Sequence, residues 1–261
     1  MAPERHDYHV HSRYSDGGDM EAMVKTAVDI GLSGIGFADH CLFSHPQKEA
    51  RVSYPMDLDR LEERRADIER LRNRHDIEIF EGMEIDYYPD DERNIERFIA
   101  ENDFDYVIGS VHEVSKHSRH NPGPSVHHGP DEPGTEAELD AYVDRYFESL
   151  CRLIDSELFD IAAHLDLIER NDYLRGRPSR DEYERVAAAL EQSRTMPEIN
   201  GNRVDEDWPV LPRQPFFEVL RERDISFVRG SDAHSALSIE TRNDRIDDVS
   251  TRFEVELQTI L

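Results

Sequence analysis

Gly34-Ile35-Gly36-Phe37-Ala38-Asp39-His40 opens on an apolar run too short for a helix and closes on two ionisable side chains. It follows an amphipathic stretch, 19–30, that Gly31 ends. Working outward from it, the same unit recurs. Short apolar runs at 8–10, 77–84, 106–111, 159–164, 196–200 and 225–230 read as strands, about seven together with 34–38. Between them, 58–74, 92–101, 136–156, 180–194 and 215–223 carry helical periodicity. This alternation predicts a mainly parallel sheet with helices outside, and 261 residues suit a single α/β barrel domain, 1–261.

Composition narrows the class. No run approaches the roughly 20 apolar residues of a membrane span, and the N-terminus is charged at Glu4, Arg5, His6 and Asp7. Cys41 and Cys151 lie far apart and form neither a disulfide framework nor a thiolate metal site. A soluble, cytoplasmic protein is expected, with no membrane partner. The net charge is -27, from 58 acidic against 31 basic residues spread along the chain. Such a surface lacks the cationic footprint of extended nucleic-acid binding. Only three lysines occur, Lys25, Lys48 and Lys116, a balance that resembles haloarchaeal cytosolic proteins and predicts stabilisation by molar salt.

Histidines and carboxylates fall where the strands end. His9 and His11 are two apart on an extended chain, so both imidazoles point the same way. Asp16 follows in the next loop; His40 and Glu84 end the second and third strands; His112 and His164 follow the fourth and fifth; Asp232 and His234 follow the last. In an α/β barrel these ends converge on one face. Six histidines and three carboxylates exceed the donors of one ion and suit two or three divalent ions sharing a bridging carboxylate. The N/O set without thiolate favours Zn, Mn or Fe. Three such ions, the three carboxylates and one hydroxide sum to about +2, which matches a phosphate monoester dianion.

Other candidates are individually weaker. Asp39, Asp86 and Asp166 adjoin the donors and can orient imidazoles, while Asp166 and His45 are candidate proton donors to a leaving group. For Arg170 a surface ion pair is the default beside a phosphate contact, and Trp208 is divided between lining the mouth and packing. The irregular stretch 113–134, rich in Pro, Gly, Ser and His, reads as a loop insertion near the active site. Its His117, His120, His127 and His128 are more simply solvated than metal-bound.

His9-Val10-His11, Ala38-Asp39-His40, Gly82-Met83-Glu84-Ile85-Asp86-Tyr87, Gly109-Ser110-Val111-His112 and Gly230-Ser231-Asp232-Ala233-His234-Ser235 together resemble motifs of the polymerase and histidinol phosphatase (PHP) family, in its histidinol-phosphate phosphatase branch. Glu198-Ile199-Asn200 is similar to another family strand, and the resemblance covers nearly the whole chain. It implies a distorted seven-stranded TIM-like (β/α)7 barrel and a trinuclear site. The implied ligands are His9, His11, Asp16, His40, Glu84, His112, His164, Asp232 and His234. Arg203, in Asn200-Gly201-Asn202-Arg203, would meet the phosphate. With it, His9, His11, His40, His112, His164, Asp232 and His234 form the catalytic set. The expected reaction is hydrolysis of a small phosphorylated substrate, L-histidinol phosphate first, by in-line attack of a hydroxide held between ions. Alternatives are a nucleotide or nucleic-acid 5′-end phosphoesterase and a non-catalytic metal-binding regulator. Oligomeric state is not legible.

Overall fold

Among the described residues, seven strands run parallel in sequence order: β1 (His6–Val10), β2 (Gly34–Cys41), β3 (Glu78–Asp86), β4 (Tyr106–Ser110), β5 (Ile161–Ala162), β6 (Met196–Asn200) and β7 (Val228–Gly230). The computed structural model describes residues 4–41, 58–114, 126, 134–204 and 206–261. Helices α1 (Met20–Asp29), α2 (Leu58–Arg72), α3 (Glu92–Glu101), α4 (Glu136–Asp155), α5 (Arg180–Leu190), α6 (Gln214–Glu222) and α7 (Ala236–Phe253) alternate with the strands. Just past the strand ends the first and last strands meet: Val10 pairs in parallel with Ala233, and His11 N–H donates to Ala233 O at 2.9 Å. The sheet is thus a nearly closed barrel with helices outside.

The interior is layered by side-chain size. Near the strand starts Tyr8, Phe80, Tyr106, Ile108, Ile161, Met196 and Val228 form one cluster, so the barrel is filled and not a pore. Tyr106 lies so close to β2 and β3 that a Cβ at Gly36 would stand 2.1 Å from its Oη, and one at Gly82 would stand 2.3 Å from its Cζ. These glycines make room for the plug. Beyond it, toward the strand ends, polar residues take over. The β1–β2 register shifts between Asp7 and Val10, an irregularity that lets Tyr8 join the plug while His9 and His11 also face inward.

Local signals explain most helix starts. Asp19 caps α1 by accepting from Ala22 N–H, and Thr135 and Ser179 form capping boxes with Glu138 and Glu182. The strand readings hold with shifted ends, β1 and β2 being longer than 8–10 and 34–38, and β5 and β7 shorter than 159–164 and 225–230. Helix α7 was not among the expected helices. Its buried residues are Ile239, Asn243, Ile246 and Val249, too sparse and too polar for a clear apolar stripe. Of the stretch 113–134, only Glu113, Val114, Val126 and Gly134 lie within the described residues, so His117, His120, His127 and His128 fall outside them, as does His45.

Candidate metal centre

Glu84 is the hub. It sits on β3, in register with His40 on β2 and Ile108 on β4, and is fully buried. Its Oε2 lies 3.5 Å from His9 Nε2, 3.6 Å from His11 Nε2 and 2.7 Å from His40 Nδ1. Its Oε1 lies 3.3 Å from His164 Nε2 and 3.6 Å from His112 Nε2. One carboxylate therefore faces five imidazoles, three on one oxygen and two on the other.

A second group adjoins it through His11 and His40. Asp16 Oδ1 stands 3.7 Å from His11 Nδ1 and 3.9 Å from His40 Nε2, and its Oδ2 stands 3.3 Å from His234 Nε2. Asp232 Oδ1 reaches His11 Nε2 at 3.3 Å and His234 Nδ1 at 3.6 Å. All nine donors predicted from strand ends are therefore gathered at one end of the barrel. His164 and Asp232 get there by leaving the β conformation: their φ values are 26° and 54°, in the left-handed region that side chains seldom occupy.

The donors suit cations better than they suit one another. Atoms bound to one ion at about 2.1 Å are separated by about 3.0–3.4 Å, and His9 Nε2 and His11 Nε2 face each other at 3.1 Å. Among the described residues, His164 Nδ1 is buried without a hydrogen bond. Among the described residues, three combinations bring ligand atoms within 4.8 Å of one another: His11, Asp16, His40 and His234; His9, His11 and Glu84; and His40, Glu84 and His112. Carboxylate and imidazole without sulfur is a set for Zn, Mn or Fe.

Electrostatics follow from the crowding. Burial alone would raise the Glu84 carboxyl, but His40, His9 and His112 hold it well below the usual carboxylate range. Burial works to lower His40, yet Glu84 and Asp16 push it up to about 9. His9 is likewise raised despite burial, by Glu198, Glu84 and Asp232. His11 goes the other way, to about 4, through burial and the neighbouring His40 and His234. Burial opposes ionisation of Asp16 and Asp232, but the surrounding imidazoles hold both low.

An outer set fixes the donors. His112 Nδ1 bonds Asp86 Oδ1 at 2.7 Å, leaving Nε2 toward Glu84. His234 Nδ1 bonds the Asp232 carbonyl at 2.9 Å. His9 Nδ1 meets Glu198 Oε2 at 2.9 Å, and Glu198 also accepts from His164 N–H and Asn200 Nδ2. Glu198 was read from sequence only as part of a strand; a lone carboxylate two residues before Asn200 was the available signal. A Cβ at Gly230 would stand 1.9 Å from its Oε2, so glycine there admits the carboxylate.

Asp39 orients no imidazole. It accepts from Ser12 N–H at 2.7 Å, Ser15 Oγ at 2.8 Å and the buried Arg64 Nε at 2.7 Å, bracing the loop that carries Asp16. Asp166, whose carboxyl burial pushes up to about 8, accepts from Arg213 N–H at 2.6 Å and makes no hydrogen bond to the nine donors. Trp208 is buried, donates to Pro212 O at 2.9 Å and packs on Phe217 and Phe253, so it is packing. Arg170 and Arg203 are exposed and have no ion pair among the described residues, so the surface pairing expected for Arg170 is not found. Among the described residues no helix is long and apolar enough to cross a membrane.

A sequence profile of the PHP domain matches residues 7–202. The chain belongs to the PHP domain family. That span contains seven of the nine donors; the fold adds Asp232 and His234 from beyond it. A Deinococcus radiodurans protein named "Probable histidinol-phosphatase" is 29% identical over 224 residues, 83% of this chain and 80% of the relative. Two solved structures share the fold. One, from Listeria monocytogenes and bearing a histidinol phosphatase name, has a TM-score of 0.75 at 19% identity, covering 90% of this chain and 97% of its own. The other is histidinol phosphate phosphatase from Lactococcus lactis, complexed with Zn, L-histidinol and phosphate. It has a TM-score of 0.73 at 22% identity, covering 94% of this chain and 93% of its own.

Proposed function

We propose that this chain is a metal-dependent phosphomonoesterase that hydrolyses L-histidinol phosphate. The observation that carries the reading is Glu84, with both oxygens faced by imidazoles from four strands or their ends. Burying one carboxylate among five histidines is costly unless cations balance the set. The residues that would hold two or three divalent ions are His9, His11, Asp16, His40, Glu84, His112, His164, Asp232 and His234, with Glu84 at the centre of the set. When bound, such ions supply an activated water and neutralise charge on the phosphoryl oxygens. The chain's own residues hold and orient: Asp86 and Glu198 fix His112 and His9, and Arg170 and Arg203, which have no ion pair among the described residues, could offer their guanidinium groups to the phosphate.

The substrate assignment is supported by the name of the Deinococcus relative and by the ligands of the Lactococcus structure. One barrel domain carries the whole site. A nucleotide substrate is the competitor, and the net charge of -27 weighs against long nucleic acids. The test is phosphate release from L-histidinol phosphate against nucleotides, sugar phosphates and short oligonucleotides, with Zn or Mn supplied. Preference for histidinol phosphate, abolished by chelation, is expected. Equal or better turnover of a nucleotide would overturn the substrate, and turnover insensitive to chelation would overturn the metal reading.

A further inference from the structure

Helix α7 sends two arginines, three residues apart, into two different loops at the donor-bearing end of the barrel. Arg242 Nη1 donates to the carbonyls of Ser231, at 3.2 Å, and of Asp232, and stands 3.9 Å from Asp232 Oδ1. Arg245 Nη1 donates to the Gly201 carbonyl at 3.0 Å. The loop after β7, bearing Asp232, and the loop after β6, bearing Arg203, are therefore fastened to the same helix.

The packing is tight where they meet. A Cβ at Gly201 would stand 2.5 Å from Arg242 Cβ and 3.1 Å from Ser231 O, so the β6 loop lies directly on α7 and on its neighbour loop. Asp232 is left-handed, at φ 54°, a conformation uncommon for residues other than glycine, though aspartate adopts it more readily than most. Arg242 grips its carbonyl, while Asn202 Nδ2 donates to its carboxylate from the β6 loop. The second carboxylate oxygen is left facing His11 and His234.

The charges gather on this side too. Burial and the proximity of Arg203 and Arg242 lower the Arg245 guanidinium, and burial and Arg242 lower that of Arg170 against the opposing pull of Asp232. A cluster of like cations in a chain of net charge -27 is the opposite of what the surface composition would place there by chance. Arg203, which has no ion pair among the described residues, is held at its exposed edge.

We infer that Arg242 and Arg245 are positioning residues with separable tasks: Arg242 sets the metal centre through Asp232, and Arg245 sets phosphate binding through Gly201 and Arg203. The inference rests on the function proposed above for the roles of Asp232 and Arg203. Three variants decide it: Arg242→Met, Arg242→Lys and Arg245→Met. Each is titrated with Zn alone, then, Zn-loaded, with inorganic phosphate, and assayed for kcat and KM on L-histidinol phosphate and p-nitrophenyl phosphate.

Arg242→Met is expected to weaken Zn binding about 10-fold or more and to lower kcat with little change in KM. Arg242→Lys should recover part of both, because an ammonium can still donate to the carbonyls. Arg245→Met should leave Zn binding intact while weakening inorganic phosphate and raising KM. Wild-type Zn affinity in Arg242→Met would overturn the first task. Arg245→Met that leaves phosphate binding unchanged, or alters Zn and kcat together as Arg242→Met does, would overturn the second. If the wild-type protein turns over neither ester, the proposed function fails, and the Zn and phosphate titrations still decide this inference.

Discussion

His9 Nδ1 lies 2.9 Å from Glu198 Oε2, with both side chains buried. The carboxylate claims the Nδ1 proton, which fixes the tautomer and leaves Nε2 to face His11 and Glu84. Because Glu198 also accepts from His164 N–H, it fixes the strand ends of two proposed ligands at once. Glu198→Gln keeps the shape but removes the charge, and its amide can present a donor to His9. Metal affinity is expected to fall by about 10–100-fold, with the fold retained. Titration with Zn against a competing chelator measures it, and unchanged affinity would rule out this role for Glu198.

The histidines differ in how readily they give up protons. In the metal-free protein His40 is held at about 9 and His11 at about 4, so near neutrality His40 carries a proton that a metal must displace, whereas His11 does not. A raised histidine contributes stability that is fully present below its unfolded value, about 6.5, and lost as pH rises through the folded value near 9. The metal-free protein should therefore lose this contribution between those limits. Metal affinity should rise over the same window, with protons released on binding. Calorimetry at about pH 7.5 in two buffers of different ionisation enthalpy checks it; equal apparent enthalpies would contradict proton release.

Much of this arrangement was legible in sequence because it obeys period-two geometry. His9 and His11, and the pairing of His40 with Glu84, follow from short apolar runs that end in donors. What escaped does not follow that rule. Glu198 lies inside a strand, where alternation turns it inward without marking its partner. Helix α7 has too few apolar residues to announce itself, so Arg242 and Arg245 could not be placed. Strand β5 ends before 164 because His164 leaves the ladder by positive φ, which no residue type there foretells, whereas β7 ends at Gly230 as expected and is shorter only at its start. Asp39, expected beside an imidazole, instead braces a loop because a buried arginine reaches it from α2.

That arginine gives a stability prediction. Arg64 is fully buried, and besides Asp39 its guanidinium donates to Phe37 O at 2.6 Å and Gly82 O at 2.7 Å, so it ties α2 to β2 and β3. Arg64→Met would leave the Asp39 carboxylate buried without its cation, at a cost of about 3–5 kcal/mol. The double variant Arg64→Met with Asp39→Asn removes both charges and should recover part of that loss. Denaturant unfolding of the two variants measures it. A single variant within about 1 kcal/mol of wild type would show that the pair contributes little.

The surface makes the remaining prediction. With 58 acidic and 31 basic residues, pairing leaves a large excess of like charge even though many arginines are engaged, as where Glu184 takes both Arg180 and Arg223. Salt weakens the pairs and the repulsion alike, but exposed pairs are worth only about 0–1 kcal/mol each, whereas the excess of 27 acts over the whole surface. At 1 M salt the screening length falls to about 3 Å, so the repulsive part should lose more. Potassium chloride at molar concentration is expected to raise the Tm by several degrees, each kcal/mol being worth about 2–4 °C in a chain of this size. A melting curve unmoved or lowered by the salt would mean that the arginine pairs already balance the acidic surface.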